Sequence, residues 1–318
     1  MHRAVLVAVG GNSLIRSGQR GTISEQFENA RMTASNIAEI AALGYRIVIT
    51  HGNGPQVGSQ LLRSEAASNQ TYSQPLDVCV ASTQGEIGYI LLNSLQSELR
   101  ARNIHTPVAV VLTRVAVKRS DAAFSAPSKP IGPFYHKETA EQKRSELGWD
   151  IIEDAARGYR RVVPSPLPVE IMEIEVIRRC VADNIIVIAT GGGGIPVVFE
   201  NGDVTGVEAV IDKDRSSALL AGELGMNRLV ISTDVEFVYI NYKKHNQEAI
   251  RDMSVVDATK FLAWGEFLGG SMGPKIEAAI EFLKRGGEEV IITDPAHLLA
   301  GLKGDSGTHI RREGTRKD

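Results

Sequence analysis

Three lysines of this chain lie beside glycine-rich segments or at predicted helix starts. Lys129 is in the proline-rich stretch PSKPIGP, Lys213 is in IDKD, and Lys275 is in SMGPK. Lysine in the first turn of a helix faces the unfavourable end of the helix dipole, unless an anion binds between them. One such lysine would ordinarily be a solvated surface charge. The set of three favours a site for a polyanion.

Four glycine clusters accompany these lysines, each after a predicted strand or at a predicted helix start. The chain has 31 glycines in 318 residues, where about 22 would be average. The clusters are GGN at 10–12, HGNGPQVG at 51–58, GGGG at 191–194 and GGSMG at 269–273. A single glycine pair is explained equally well by a tight turn. Several at strand ends indicate backbone N–H groups that can approach an anion closely.

The absence of several known motifs narrows the chemistry that this predicted anion site could perform. The sequence has neither GxxxxGK[ST] nor GxGxxG, so it predicts neither a P-loop nor a dinucleotide-binding site. It has no convincing Ser-His-Asp or Cys-His set, and His51 is as well explained as a loop residue as by a ligand contact. Phosphoryl transfer needs mainly positioning and neutralisation of charge, which glycines and lysines supply.

Three aspartates lie near these segments, and two of them have a structural and a functional interpretation. Asp212 and Asp214 flank Lys213. Both fit helix N-capping, and Asp214 could also fix the lysine ammonium groups or a metal. Asp234 follows the predicted strand LVIST and could equally cap a turn or line a nucleotide site.

The elements that must position these groups alternate along the chain. Apolar runs predict strands at 4–9, 46–50, 108–112, 185–190, 229–232 and 289–293. Thr22 and Glu25 match a capping box that starts one helix, which Gly44 can end, and helical patterns follow at about 81–101, 170–182, 214–224, 254–263 and 273–285. The alternation predicts an α/β protein with a mainly parallel sheet. Residues 118–163 interrupt it with prolines, and we interpret them as a lid or small subdomain, with a plain surface loop as the alternative.

Composition excludes several other classes of protein. The formal net charge of −3 disfavours a broad nucleic-acid surface. Cys79 and Cys180 cannot form a disulfide framework. No apolar run reaches the length of a membrane span. The opening segment MHRAVLVAVGGN lacks a cleavage pattern and predicts a first strand. We therefore expect a soluble, cytoplasmic protein.

Together these segments resemble the carbamate kinases of the amino acid kinase superfamily. In family order the chain carries VAVGGNS, THGNGPQVG, CVASTQGEIGY, PSKPIGPFY, EDAARGYRRVVPSP, GGGGIPVV, AVIDKD, TDVEFVYINY and GSMGPKIEAA. The resemblance runs nearly end to end. THGNGPQVG, RRVVPSP, GGGGIPVV and IDKD together are not expected in the sister kinases for acetylglutamate, aspartate or UMP.

The resemblance implies a fold, a reaction and partners. The fold is a three-layer αβα sandwich around an open, mainly parallel sheet, with residues about 118–163 as a small protruding subdomain. Residues 1–210 would bind carbamate or carbamoyl phosphate, and residues 211–318 the nucleotide. The reaction is reversible phosphoryl transfer between ATP and carbamate, in a homodimer, with Mg²⁺ carried by ATP or ADP and no direct protein ligand to the metal. In catabolism it runs toward ATP, from arginine, agmatine or purine-ureide breakdown.

The resemblance also assigns residues to roles. Lys129, Lys213, Asp214 and Lys275 would be catalytic: Lys129 reaches in from the subdomain, the other lysines neutralise phosphate charge, and Asp214 orders them. The residues implied to bind the substrate and the transferring phosphoryl group are Gly10, Gly11, Asn12, Gly52, Asn53, Gly54, Gly191, Gly192 and Gly193. Those implied to bind the nucleotide are Lys213, Thr233, Asp234, Tyr239, Tyr242, Ser271, Met272, Gly273 and Lys275.

Two departures from the family pattern leave room for other functions. The chain has Glu236-Phe237 where the family often has Asp-Gly or Asp-Lys, and Phe237 would lie beside the presumed nucleotide pocket. It also has Arg114 and Ala116 where the family has Gln and Glu. The alternatives are a divergent amino acid kinase acting on another small acid, or a non-catalytic sensor of carbamoyl phosphate or nucleotide.

Overall fold

A large sheet with mostly parallel strands organises the molecule. The computed structural model describes residues 3–16, 18–153, 158–267 and 272–312, and only the backbone of Asn12. The strands are β1 (Ala4–Val9), β2 (Arg46–His51), β3 (Val108–Val110), β4 (Arg114–Ala116), β5 (Lys129–Tyr135), β6 (Ile151–Glu153), β7 (Tyr159–Val163), β8 (Glu170–Ile171), β9 (Ile186–Ile188), β10 (Ile195–Glu200), β11 (Asp203–Gly206), β12 (Arg228–Ser232), β13 (Val238–Ile240), β14 (Glu248–Ile250), β15 (Asp252–Ser254), β16 (Glu289–Thr293) and β17 (Thr308–Arg311).

The helices lie between these strands. They are α1 (Ile23–Ala42), α2 (Gly54–Ala66), α3 (Leu76–Ala101), α4 (Lys137–Leu147), α5 (Ile174–Ala182), α6 (Lys213–Glu223), α7 (Val255–Ala263), α8 (Met272–Lys284) and α9 (Leu298–Lys303). Short 3₁₀ turns occupy Gly11–Ser13, Ala122–Phe124 and Gly191–Gly193. The predicted capping box starts α1: Thr22 accepts from the Glu25 backbone, and the Glu25 side chain accepts from Thr22.

The main sheet has the strand order β15-β17-β16-β12-β1-β2-β9-β3. All its neighbouring pairs are parallel except β16–β17. Residues along β1 alternate between two cores. Val5, Val7 and Val9 face α1, α3 and α9, whereas Leu6 and Ala8 face α5, α6 and α8. This alternation makes three layers and confirms the predicted αβα sandwich.

Several predicted boundaries were wrong. Residues 170–171 form β8 rather than the start of a helix, and α5 begins at Ile174. The run at 108–112 stops at Val110, and β4 follows at once in a second sheet of order β11-β10-β4-β8. Helix α2 was missed because its first residues are rich in glycine, although Pro55 fits a helix start.

The proline-rich excursion contains an antiparallel sheet of order β5-β7-β6, with α4 between β5 and β6 in the chain. Pro130 and Pro133 lie in β5, which is an edge strand and therefore tolerates the missing N–H groups. Gly132 of β5 packs directly on Gly58 of α2: a methyl group on Gly58 would lie 2.0 Å from the Gly132 Cα. Lys143 of α4 lies 3.5 Å from Glu65 of α2.

Residues 3–16, 18–153, 158–267 and 272–312 contain no helix both long and apolar enough to cross a bilayer.

Candidate functional site

Glycine-rich segments converge at the carboxyl edge of the main sheet. The 3₁₀ turn Gly11–Ser13 follows β1, Gly52 and α2 follow β2, and the turn Gly191–Gly193 follows β9 shortly after its end. These segments approach one another closely: a Cβ on Gly52 would lie 3.7 Å from the Gly11 nitrogen and 3.8 Å from the Lys213 Cδ. Ligands of open α/β sheets bind outside this edge.

A cluster of lysines and aspartates lies beside these turns. Asp214 holds two lysines with one carboxylate: Lys213 Nζ lies 2.6 Å from Oδ1, and Lys275 Nζ lies 3.2 Å from Oδ2. Lys129 Nζ lies 2.5 Å from Asp212 Oδ2. The structure thus brings together residues that are far apart in the chain. We call Lys129, Asp212, Lys213, Asp214 and Lys275 the lysine cluster.

Burial and mutual attraction set the ionisation of the cluster. Burial lowers the pKa of Lys213, and Asp214 only partly offsets it. Burial acts the same way on Lys275, but the charge of Asp214 prevails and raises its pKa. Burial opposes the charge of Asp212 and Asp214, yet the surrounding lysines hold the pKa of both carboxyls below the ordinary value. Three cations and two anions leave the cluster formally positive by one.

Helix α6 fixes the centre of the lysine cluster through its N-cap and through two serines of its first turns. Asp212 is its N-cap, with Oδ1 accepting from the Asp214 nitrogen at 2.9 Å. Ser217 donates to the Lys213 carbonyl at 2.6 Å and lies 2.6 Å from the Thr50 hydroxyl of β2. Ser216 donates to the Gly193 carbonyl at 2.7 Å. These bonds hold Lys213 against the ends of β2 and the glycine turn.

The turn at 191–193 can be made only of glycine. A Cβ on Gly191 would lie 2.3 Å from His51 Nε2, one on Gly192 would lie 2.2 Å from Asn53 Nδ2, and one on Gly193 would lie 2.3 Å from the Ile211 carbonyl oxygen. Gly192 and Gly193 also have φ of 65° and 89°. Side chains at these positions would therefore clash with His51, Asn53 and Ile211.

His51 is a buried neutral residue. Burial, together with the nearby Lys213 charge, lowers the pKa of His51 to about 4. Its Nδ1 lies 3.0 Å from the Gly52 carbonyl, which can only accept, so Nδ1 carries the proton. This arrangement supports the Gly52 turn.

The predicted nucleotide residues lie on several segments of the C-terminal half of the chain. Thr233 donates its backbone N–H to the Thr293 carbonyl at 2.8 Å, and Asp234 is near enough to Lys275 to help raise its pKa. The rings of Tyr239 and Tyr242 lie 5.9 Å apart at the β13–β14 hairpin. Met272 and Gly273 open α8. Ser271 and the Asn12 side chain lie outside what the structure describes.

Side chains that the sequence prediction missed also support the site. Asp212 was considered only as a helix cap, and its bond to Lys129 connects residues 83 positions apart. Gln84 of α3 bridges two loops, donating to the carbonyls of Thr113 and Gly191 at 3.0 and 2.9 Å. The motif TQGEIGY contains Gln84, but nothing local in the sequence indicates its partners.

The described side chains of the two departures from the family pattern contact residues outside the lysine cluster. Phe237 is 8% exposed, and the Arg251 guanidinium covers its ring at 4.8 Å. Glu236 accepts from Ser306 at 2.7 Å. Arg114 pairs with Glu173 at 2.8 Å. Phe237, Glu236 and Arg114 thus each have a local partner, and Ala116 is buried.

The fold and the lysine cluster at this edge of the sheet are typical of a phosphotransferase-like α/β protein, and comparison identifies its family. Residues 3–294 match the amino acid kinase family. The chain belongs to that family.

Relatives of high identity are carbamate kinases. The carbamate kinase of Pyrococcus horikoshii is 47% identical over 98% of this chain and 99% of its own length. That of Staphylococcus haemolyticus is 47% identical over 97% of this chain and 99% of its own. A structure of carbamate kinase from Giardia lamblia bound to AMP-PNP is 39% identical, covers 98% of this chain and 99% of its own, and superposes with a TM-score of 0.91.

Proposed function

We propose that this protein is a carbamate kinase that transfers a phosphoryl group reversibly between ATP and carbamate. The observation that carries the proposal is the lysine cluster at the carboxyl edge of the sheet, in a chain that matches carbamate kinases over nearly its whole length. In the direction of ATP synthesis, a β-phosphate oxygen of ADP attacks the phosphorus of carbamoyl phosphate. The bond from phosphorus to the carbamate oxygen breaks, and carbamate leaves as an anion.

The lysines provide the charge that this transfer needs. The equatorial oxygens of the phosphoryl group carry negative charge while neither bond is fully formed. Lys213 and Lys275 neutralise it from the nucleotide side, and Lys129 reaches it from β5. Asp214 keeps the first two lysines from spreading apart, since both bond to it. Because carbamate leaves and attacks as an anion, the reaction requires no general base.

The remaining roles follow the position of each segment. Gly10, Gly11 and Asn12 cradle the transferring phosphoryl group, Gly52, Asn53 and Gly54 bind carbamate, and Gly191–Gly193 contact the substrate. Thr233, Asp234, Tyr239, Tyr242 and Ser271–Gly273 bind the nucleotide. Residues 1–210, with the subdomain at about 118–163, form the carbamate lobe, and residues 211–318 form the nucleotide lobe.

Magnesium enters as part of the substrate. Asp212 and Asp214 are both engaged by lysines, and the described residues contain no cluster of three or more His, Cys, Asp or Glu side chains that could hold a metal. This donor set fits Mg²⁺ bound to the nucleotide phosphates, where it offsets phosphate charge. Both described cysteines are free thiols, in keeping with a cytoplasmic location.

A coupled assay tests the activity. The protein is mixed with carbamoyl phosphate and MgADP, and ATP is detected by hexokinase and glucose-6-phosphate dehydrogenase. ATP formation is expected. Folded protein that binds ADP by calorimetry without forming ATP would point to a sensor instead, and turnover only with acetylglutamate, glutamate, aspartate or UMP would point to another amino acid kinase.

A homodimer through β3 is also part of the proposal. Among the described residues β3 is an edge strand of the main sheet. Tyr89, Val110 and Leu112 are 59%, 37% and 55% exposed at or near this edge. Sedimentation should show a dimer that Leu112→Asp weakens. Leu147→Asp, at a residue 49% exposed on α4, should leave it intact. Equal dimerisation of both variants would exclude this edge.

A further inference from the structure

Asn53 is at the N-cap of α2, yet its side chain does not cap the helix. Asparagine is among the residues most favoured for capping, so its side chain is diverted to another purpose here. Its Nδ2 donates to the Thr83 hydroxyl of α3 at 2.8 Å, and Asn53 is 3% exposed. Local rules of this kind are most often broken at functional positions.

The orientation of the Asn53 amide follows from a second hydrogen bond that the Thr83 hydroxyl makes. The Thr83 hydroxyl donates its proton to the Val80 carbonyl at 2.7 Å. A hydroxyl has one proton, so toward Asn53 it can only accept, and the amide nitrogen must face it. A flipped amide would set two acceptors against each other. Gly192 confines the amide further, because a Cβ there would lie 2.2 Å from Nδ2.

The amide oxygen is left as an oriented acceptor. Within the described part of the chain, the hydrogen bonding of the Asn53 side chain involves Nδ2 and leaves Oδ1 without a donor. Asn53 follows Gly52, which lies against Gly11 and Lys213. The acceptor therefore adjoins the glycine turns at which the carboxyl-type group of the substrate meets the transferring phosphoryl group.

We propose that Thr83 orients Asn53 so that its amide oxygen accepts a hydrogen bond from the amino group of carbamate and carbamoyl phosphate. The inference rests on the proposed function and names its selectivity element. Acetate is nearly the same size as carbamate, but it has a methyl group at this position and would leave a nearly buried acceptor unpaired. Sites built to bond a donor reject analogues that lack it by as much as about 10⁴-fold. Asn53 is the binding residue, and Thr83 is a positioning residue.

The test compares two acyl phosphates on the full chain. kcat/KM with MgADP is measured for carbamoyl phosphate and for acetyl phosphate, in the wild type, Thr83→Val, Thr83→Ser and the control Thr259→Val. Thr259 donates to the Val255 carbonyl at 2.7 Å and, in the described ranges of the chain, supports no second side chain. Melting temperatures establish that each variant is folded, and Thr83→Ala replaces Thr83→Val if the latter is not.

The wild type should prefer carbamoyl phosphate by about 10³-fold or more, and Thr83→Val should lower that ratio at least about tenfold. The loss should fall on carbamoyl phosphate, leave the KM for ADP unchanged, and be restored by Thr83→Ser. A ratio in Thr83→Val or Thr83→Ala within twofold of the wild type would overturn the inference, as would a wild type that prefers carbamoyl phosphate by less than tenfold. A wild type that forms no ATP from carbamoyl phosphate would instead overturn the proposed function.

Discussion

Asp214 is the residue on which the charge balance of the site depends. It is nearly buried, and one carboxylate keeps Lys213 and Lys275 charged in a place where burial favours their neutral forms. Without that carboxylate, two ammonium groups would lie close together at low effective dielectric. Asp214 therefore helps to maintain the positive charge of the lysine cluster, which we propose faces the transferring phosphoryl group.

Lys213→Ala should reduce turnover by about 10²-fold or more, because it removes a fixed cation from a partly dry site. The coupled ATP assay measures this. Lys303→Ala removes an exposed lysine at the end of α9 and should change turnover by less than about twofold. A loss below threefold in Lys213→Ala would make this lysine peripheral.

The lowered pKa of Lys213 predicts an alkaline limit to activity. The lysine acts as a cation, so the free enzyme loses function as pH rises through this pKa, and kcat/KM for carbamoyl phosphate should fall at a lower pH than an ordinary lysine would give. Lys213→Arg keeps its charge at any practical pH and should flatten this limb, whatever its absolute rate. An unchanged limb in that variant would assign the titration to another group.

For single residues, the sequence predicted the type of chemistry better than it predicted which side chains bond to one another. Lysines beside glycines indicated anion binding because their local context was unusual. The bonds from Lys129 to Asp212 and from Asn53 to Thr83 depend on the approach of separate elements, which no local pattern contains.

At the scale of elements, the contact between α2 and β5 determines how far Lys129 reaches. Gly58 and Gly132 let the two backbones touch, and Gly132 has a φ of 72° that glycine adopts without strain. Lys129 begins the same strand three residues earlier and meets Asp212. A shift of β5 would therefore also shift Lys129.

Gly58→Ala should push β5 away from α2, since its methyl group would fall 2.0 Å from the Gly132 Cα. We expect kcat/KM for carbamoyl phosphate to fall at least about tenfold while nucleotide affinity is retained, as steric displacement moves Lys129 but not α6 or α8. Steady-state kinetics and ADP calorimetry separate the two effects.

Gly85→Ala is the matched control. Gly85 also lies inside a helix, α3, but a Cβ there would meet nothing within 4 Å. This substitution should stabilise the protein by about 0.5–1 kcal/mol and leave the rate unchanged. If both variants behaved alike, the Gly58–Gly132 contact would have no part in placing Lys129.

The predicted elements were most accurate where strands were buried and helices strongly periodic. Strands β1, β2, β12 and β16 are continuous apolar runs within the parallel sheet, which is why their patterns were clear. Strand β5 was hidden because its prolines argue against a strand unless its edge position is known.

At the scale of the whole molecule, a second charged cluster ties the sheet together at the edge opposite the site. Glu289, at the start of β16, lies 3.0 Å from Arg228 Nε of β12 and 3.0 Å from His309 Nδ1 of β17, and it accepts from Arg311 Nε at 2.8 Å. Burial alone would raise the pKa of Glu289, but His309 and the two arginines lower it to about 2.

This lowered pKa makes stability depend on pH in the acid range. Its contribution is fully present above the ordinary glutamate pKa of 4.5 and is lost as pH falls toward about 2. At neutral pH this contribution to the free energy of unfolding is on the order of 3 kcal/mol. Glu289→Gln should lower stability at pH 7, and its deficit should shrink between pH 4.5 and 2 in urea titrations. The exposed neighbour Glu288→Gln should show no such convergence, and a deficit for Glu289→Gln that is constant with pH would contradict the linkage.

The two carboxylate oxygens of Asp212 bind different partners. Oδ1 receives the first amides of α6, while Oδ2 receives Lys129. Because different oxygens make these bonds, loss of the pair with Lys129 would leave the cap of α6 in place. The start of α6 is therefore held independently of the contact that β5 makes with it through Lys129.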